Sequence, residues 1–268
     1  MALVMPFLHS NGIRLAYERA GAGEPVLLVM GQSAAARSWT VYQTPALHRA
    51  GYETVVFDNR GMAPSDAPPG RYSIDDMVAD TMGVIEALDL APCRIVGTSL
   101  GSTVAQELAL AHPELVRCAV LLATCARSDV YRTAMTRASR ALRDSGVTVP
   151  AEYRATTSVR EMLSPATLDD EIVVAQWLEV FQLAEDDPAP GQSWVDAGDR
   201  RAALREVAVP CRVIAFADDV MAPPHLGAEV ADAIPDCDLV EISRCGHLGH
   251  LERPDEVNAA IIEFLDKN

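Results

Sequence analysis

The chain has 268 residues, of which 49% are hydrophobic, and its 38 acidic and 22 basic side chains give a net charge of −16. This length fits one α/β domain with a sizeable core, and the acidic balance argues against nucleic acid or an anionic membrane as partner, because both are bound through basic patches. The only lysine is Lys267, which excludes chemistry through a Schiff base or a phosphate-loop lysine and leaves a small molecule as the expected partner.

The first 21 residues favour a pair of strands over a signal peptide, because they lack a basic region and Pro6 and His9 interrupt their apolar part. No apolar stretch reaches the roughly 18 residues that a membrane span needs. The six cysteines show no paired spacing typical of a metal site, so we expect reduced structural thiols. We therefore expect a cytoplasmic protein without metal or cofactor, and the sequence leaves a monomer and a homodimer both open.

Short apolar runs alternate with longer amphipathic segments over the first 124 residues. In chain order these runs are PVLLVM, YETVVFD, CRIVG and LVRCAVLLAT. Such alternation indicates βαβ units with a mostly parallel sheet, and near-continuous apolar runs are typical of strands covered on both faces. Ser73, followed by Asp75 and Asp76, predicts that a helix begins there.

After Thr124 the alternation stops, and it resumes only with CRVIAFADD and CDLVEIS. We therefore predict that residues 1–124 and 206–268 form an α/β core and that residues 125–205 form a helical cap. Within this insertion, one predicted helix places Val173, Trp177, Val180 and Phe181 along one face. That face either packs on the core or roofs an apolar pocket.

One serine stands at the end of the apolar run CRIVG, in the pattern Gly97-Thr98-Ser99-Leu100-Gly101. Small neighbours on both sides permit a sharp turn from strand to helix that exposes the serine hydroxyl, and the following helix N-terminus supplies backbone N–H groups. The pattern predicts Ser99 as a nucleophile, with a serine that merely caps a helix as the alternative.

The last third of the chain offers an acid in AFADDVMAPP and then a histidine in SRCGHLGHLERPDEV. With this order of serine, acid and histidine, the sequence resembles the α/β-hydrolase superfamily over nearly its whole length, in particular its capped serine esterases and carbon–carbon bond hydrolases. The resemblance implies an α/β-hydrolase fold, in which a mostly parallel central sheet is flanked by helices and carries a helical cap.

The resemblance also implies the partners of Ser99. The acid is Asp219, four residues before a proline, with Asp218 as the second candidate. The base is His247, which follows a glycine and stands five residues before Glu252, whereas His250 does not match the motif. A serine nucleophile argues against the dehalogenase and epoxide-hydrolase branches, which use a carboxylate.

An oxyanion hole would use two backbone N–H groups, those of Leu100 and Gln32. Most relatives carry His-Gly where this chain has Met30-Gly31, and the stretch LLVMG resembles methylesterases that act on polyketide antibiotics. In FDNRGMAPSD, which resembles a turn of the family, Asp58 and Arg60 are expected to brace the loop.

Substrate contacts are expected from the insertion. Large apolar side chains there predict an apolar pocket over Ser99, namely Tyr131, Met135, Trp177, Phe181 and Trp194. Residues 127–160 hold seven arginines against three acids, an excess of four positive charges. These arginines either form a solvated helix face or include Arg127 or Arg132 as an inward-pointing ligand for a substrate carboxylate or phosphate.

The resulting prediction is a cofactor-independent serine hydrolase that cleaves an ester, thioester or lactone of a small, largely apolar substrate through an acyl-Ser99 intermediate, with His247 as base and Asp219 orienting it. A carbon–carbon bond hydrolase would use the same residues. Peptidase or cofactor-free haloperoxidase activity is a further alternative. A non-hydrolytic scaffold for ligand binding or cyclisation, with an idle triad, is the alternative from a different class.

Overall fold

The computed structural model describes residues 5–184 and 187–268. Within those ranges one sheet has the strand order β1-β2-β4-β3-β5-β6-β7-β8. β2 pairs antiparallel with both β1 and β4, and all other neighbouring strands pair parallel, which confirms the predicted mostly parallel sheet. The strands are β1 (Phe7–Ser10), β2 (Ile13–Gly21), β3 (Pro25–Val29), β4 (Glu53–Phe57), β5 (Cys93–Thr98), β6 (Val116–Leu122), β7 (Cys211–Phe216) and β8 (Cys237–Ile242).

Helices follow most of the parallel strands. Ser73 caps the second helix as predicted, because its side chain accepts from the backbone N–H of Asp76 and the Asp76 carboxylate accepts from the backbone N–H of Ser73. The helices are α1 (Trp39–Arg49), α2 (Ile74–Ala87), α3 (Leu100–Ala111), α4 (Val130–Asp144), α5 (Ala151–Met162), α6 (Pro165–Leu168), α7 (Glu171–Leu183), α8 (Pro224–Ala233), α9 (Gly249–Glu252) and α10 (Pro254–Leu265).

Two apolar layers cover the two faces of the sheet. Successive residues of β3 alternate between them: Leu27 belongs to the layer that includes residues of α2, α3 and α8, whereas Val26 and Leu28 belong to the layer that includes residues of α1 and α10. Because both faces of each central strand are buried, every position prefers an apolar side chain, which explains the unbroken apolar runs. The carboxyl ends of the parallel strands consequently share one edge of the sheet.

The segment between β6 and β7 has a different character. We call residues 125–205 the helical segment; it contains α4 to α7, and α5 packs against α7. No residue of α4 or α7 is fully buried. Among the residues that the structure describes, no helix has the length and apolar character to cross a membrane.

Candidate active site

Ser99 lies at the turn from β5 into α3, at the carboxyl edge of the sheet. Its φ of +51° is rare for a residue with a side chain. A Cβ on Gly97 would lie 2.3 Å from the Gly101 carbonyl oxygen, and one on Gly101 would lie 2.1 Å from the carbonyl oxygen of Val29. Both glycines are therefore required by close backbone approach, and together they leave the Ser99 side chain facing a cavity.

The structure brings Ser99, His247 and Asp219 together from the loops after three parallel strands, β5, β8 and β7. His247 Nε2 lies 3.0 Å from Ser99 Oγ, and His247 Nδ1 lies 2.8 Å from Asp219 Oδ2. With its proton on Nδ1, the ring donates to Asp219 and its other nitrogen accepts from the serine hydroxyl. Such a chain of hydrogen bonds can carry the hydroxyl proton to the imidazole when the oxygen attacks.

The carboxylate that meets the ring is that of Asp219 and not of Asp218, whose backbone N–H donates to the carbonyl of Cys245. The second oxygen of Asp219 accepts from the backbone N–H groups of Met221 and Ala222, at 2.7 and 2.8 Å. Burial by itself would raise the pKa of Asp219, but the His247 ring and these two donors outweigh it, so the pKa is lowered. The carboxyl group is therefore ionised at neutral pH.

Backbone donors for an oxyanion can come from two places next to Ser99. Leu100 is the first residue of α3, so its N–H has no carbonyl partner within that helix. The turn after β3 also approaches closely, because a Cβ on Gly31 would lie 3.3 Å from that of Ser99. Gln32 follows in this turn and lines the same cavity as Ser99, with its side-chain amide donating to Ser193 Oγ at 3.3 Å.

Gln192 holds this turn in place, a role that the sequence did not reveal. Its side chain is 0% exposed, its Oε1 accepts from the backbone N–H of Ser33 at 2.7 Å, and its Nε2 donates to the carbonyl of Arg60 at 2.7 Å. Arg60 itself forms two 2.6 Å bonds with Asp80, and Asp58 accepts from the backbone of the loop after β3, as expected for bracing residues. A glutamine in a loop carries no local signal of such a long-range contact.

A cavity of about 1790 Å³ lies between the sheet edge and the helical segment. Ser99 and His247 line it together with four of the expected substrate contacts, Met135, Trp177, Phe181 and Arg132. The rings of Trp177 and Phe181 stack with their centroids 5.6 Å apart.

Tyr131 and Arg127 do not line this cavity. Tyr131 is 57% exposed, because it lies about 100° around α4 from Arg132 in the first turn of the helix. Arg127 is held by two hydrogen bonds to Glu229 of α8 and by their opposite charges. Neither residue therefore lies on the cavity wall, where the substrate contacts were expected.

The cavity wall also carries charged side chains. Trp194, predicted for the pocket, contacts two guanidinium groups, those of Arg71 at 3.6 Å and Arg140 at 4.7 Å from its ring centre. Arginine and acidic side chains share the wall with the apolar ones, namely Arg132, Arg140, Arg143, Arg154, Glu161, Asp170, Asp187 and Glu252. The wall of this cavity therefore combines apolar side chains with charged ones.

His250 is a buried residue at the edge of the site. It is 1% exposed, its ring lies 5.1 Å from that of Trp39, and neither ring nitrogen has a hydrogen-bond partner among residues 5–184 and 187–268. Burial, with a smaller contribution from the nearby His247, lowers the pKa of His250 to about 3. His250 is therefore neutral at physiological pH.

The described part of the chain contains no group of three or more His, Cys, Asp or Glu side chains placed to hold a metal ion. The cysteines are free thiols, and burial raises the pKa of the most enclosed of them, so they are poor nucleophiles. Of the groups at the carboxyl edge, Ser99 has the partners that a nucleophile needs.

Comparison with known proteins agrees with this architecture. Residues 21–260 match the Alpha/beta hydrolase family. BpoC of Mycobacterium tuberculosis strain H37Rv, provisionally named a non-heme bromoperoxidase, is 43% identical over 257 residues, which cover 94% of this chain and 98% of BpoC. Rhodomycin D methylesterase DauP of Streptomyces sp. strain C5 is 27% identical over 270 residues, with 90% of each chain covered.

Solved structures of other proteins show the same fold. The structure of Rv0554 from Mycobacterium tuberculosis superimposes with a TM-score of 0.91 at 42% identity, covering 95% of this chain and 94% of the other. The match of fold and sequence extends over almost the whole chain, including the strand ends that carry Ser99, Asp219 and His247. The protein is an enzyme of the hydrolase type and belongs to the α/β-hydrolase family.

Proposed function

We propose that the protein is a cofactor-independent serine hydrolase that cleaves an ester, thioester or lactone through an acyl-Ser99 intermediate. The observation that carries this proposal is the continuous hydrogen-bond chain from Asp219 through His247 to Ser99, with distances of 2.8 and 3.0 Å. The methylesterase among the relatives supports ester chemistry, although it shares only 27% of its residues with this chain.

In the first half of the reaction, Ser99 Oγ attacks the carbonyl carbon while His247 Nε2 takes the hydroxyl proton. The N–H groups of Leu100 and Gln32 bind the oxyanion that forms, which stabilises the tetrahedral intermediate. The bond to the leaving group then breaks, and His247 returns its proton to the leaving oxygen or sulfur. The acyl group remains on Ser99.

In the second half, His247 takes a proton from a water molecule, whose oxygen attacks the acyl carbon. Collapse of the second intermediate breaks the bond to Ser99 Oγ, which recovers the proton from His247 and releases the acid. Asp219 stays ionised throughout and fixes the orientation of the ring, because its second oxygen is bound by two backbone N–H groups.

The helical segment acts in this proposal as a cap that excludes water and contacts the substrate. Trp177, Phe181 and Met135 supply the apolar surface on the cavity wall for the hydrocarbon part of the substrate. Enclosure lowers the local dielectric constant, so the oxyanion contacts become stronger than they would be in water.

A fluorophosphonate probe and a set of p-nitrophenyl esters test the proposal. The probe should modify Ser99, identified by peptide mass, and labelling should require His247. Ester hydrolysis should fall by about 10⁴-fold or more in Ser99→Ala, because losing a nucleophile removes covalent catalysis. The exposed Ser128 serves as the matched control, since Ser128→Ala should leave both readouts unchanged. Absence of labelling at Ser99, or residual activity within about tenfold of the parent enzyme, would contradict the proposal.

A further inference from the structure

The cavity-facing side of α4 carries three arginines, Arg132, Arg140 and Arg143. On an α-helix these positions fall within about 80° of one another, so they share one face. Each has one buried guanidinium nitrogen without a hydrogen-bond acceptor among the described residues, namely Nε of Arg132, Nε of Arg140 and Nη1 of Arg143. Buried donors without acceptors are rare in proteins because they lose their hydration without compensation.

Two buried arginines elsewhere in the chain, Arg60 and Arg212, are paired with carboxylates. Arg60 has two bonds of 2.6 Å to Asp80, and Arg212 has bonds of 2.8 and 2.6 Å to Asp238. The open donors on α4 are therefore not a general property of arginine in this fold. They occur on the wall of the cavity that also contains Ser99.

Arg140 is the clearest case. It has no carboxylate partner among residues 5–184 and 187–268, and the Trp194 ring holds its guanidinium in place at 4.7 Å. A cation on an aromatic face keeps its charge and its edge donors available for an anion. Arg140 is thus oriented by Trp194 without being neutralised.

Arg143, three residues after Arg140 on α4, also has a donor without an acceptor among the described residues. Its Nε and Nη2 lie 3.2 and 3.1 Å from Asp187, which leaves Nη1 as the open donor. Residues three apart on a helix have neighbouring side chains, so one ligand can contact both Arg140 and Arg143. Arg132 differs, because its Nη1 already donates to the carbonyl of Met221 in the loop that carries Asp219.

Two of the acidic residues on the wall, Asp170 and Glu252, have other partners. Asp170 caps α7 through the backbone N–H groups of Ile172 and Val173, and Glu252 accepts from Ser164, Thr167 and Gly246. Burial raises the pKa of the Glu161 carboxyl, which reduces its tendency to carry a negative charge. Among residues 5–184 and 187–268, the acids of the wall therefore leave the Arg140 charge without a counter-ion.

We propose that Arg140 and Arg143 bind a carboxylate of the substrate through charge-assisted hydrogen bonds from their guanidinium groups. This inference rests on the proposed hydrolase function and adds a substrate class to it: half esters or lactones of dicarboxylic acids, with the free carboxylate remote from the reacting carbonyl. Arg137, on the exposed side of the same helix, takes no part.

The test compares p-nitrophenyl esters of straight-chain monocarboxylic acids with p-nitrophenyl half esters of dicarboxylic acids of matched chain length. The parent enzyme should prefer the half ester at one or more chain lengths. Arg140→Gln and Arg143→Gln should each lower kcat/KM for that half ester by roughly tenfold or more, because a charge-assisted contact is lost, and change kcat/KM for the neutral ester by less than about twofold. Arg137→Gln, which removes the same charge from α4, should change neither.

Binding of a dicarboxylic acid to Ser99→Ala, measured by calorimetry, separates this inference from the hydrolase function. Addition of Arg140→Gln to that variant should weaken binding by roughly tenfold, and addition of Arg137→Gln should not. Hydrolysis of neutral esters without any preference for half esters, with equal losses on both substrates in the arginine variants, would overturn the carboxylate site and leave the hydrolase intact. Loss of ester hydrolysis with arginine-dependent acid binding retained would overturn the reaction and leave the site.

Discussion

The sheet and the helical segment differ in what holds each residue in place. Side chains such as Val26, Ile95 and Ile214 are completely buried between two layers of helices, whereas α4 and α7 have no fully buried residue. The proposed nucleophile, acid and base all stand at strand ends of the buried part. The groups proposed to recognise the substrate lie on the exposed part, where side chains can change with little loss of folding free energy.

The largest expected effect is a loss of activity when the proposed acid, Asp219, is changed at the carboxyl edge of the sheet. Asp219→Asn should lower kcat by a factor on the order of 10³ or more, because an amide does not stabilise the imidazolium charge and can favour the wrong tautomer of His247. The fold should persist, as measured by circular dichroism. Asp218→Asn is the matched control and should retain most activity; if it proves the more damaging change, the acid is the neighbouring residue.

Two valine substitutions, one in the sheet and one in the helical segment, compare how much each region contributes to the free energy of unfolding. Val26→Ala removes a completely buried side chain from β3 and should lower the free energy of unfolding by about 2 kcal/mol. Val180→Ala alters a side chain of α7 that is 55% exposed, and it should change the free energy of unfolding by less than about 0.5 kcal/mol. Urea unfolding curves measure both, and equal losses would show that the helical segment contributes to the core as the sheet does.

The smallest effect concerns His250, which contacts Trp39 in α1. Its pKa falls from 6.5 to about 3 in the folded protein, so between these values the unfolded chain binds the extra proton. The stability from keeping this ring neutral is therefore fully present above about pH 6.5 and decreases as the pH falls, by up to about 1.4 kcal/mol per pH unit. The parent protein should accordingly lose up to about 2 kcal/mol more than His250→Gln between pH 8 and pH 5.

Unfolding curves at several pH values measure this difference. The exposed His9 provides the control, since His9→Gln should retain the pH dependence of the parent protein. An unchanged pH dependence in His250→Gln would show that the ring can take up a proton without leaving its buried position.

Local patterns were enough to predict the central strands, the helix that begins after Ser73 and the turn at Ser99. Each of these depends on neighbours in sequence: a strand buried on both faces needs consecutive apolar residues, and the turn needs small residues on either side of the serine. The resemblance to a family supplied Asp219 and His247, whose short motifs lie far from Ser99 in the sequence. The structure brings all three within hydrogen-bonding distance.

Local sequence patterns could not predict which arginines of the helical segment face the cavity. Arg127 is held by Glu229, which lies 102 residues further along the chain, and Arg140 is oriented by Trp194. Which arginine faces the cavity depends on these distant partners, and composition alone gave only the excess of positive charge. The burial of His250 is equally non-local, because it follows from the packing of α9 against α1.

Gln192 has a consequence for how the substrate range of this enzyme can diversify. Its buried amide joins residues 190–194 to the turn after β3 and to the loop at Arg60, and Gly191 packs so closely on Tyr72 that a Cβ there would lie 2.6 Å from its ring. Insertions or larger side chains at that end of the wall would disturb the turn that holds Gln32. Variation in substrate size is therefore best accommodated on the opposite side, by α4 and α7, where altered length and side chains leave Ser99 and the turn after β3 in place.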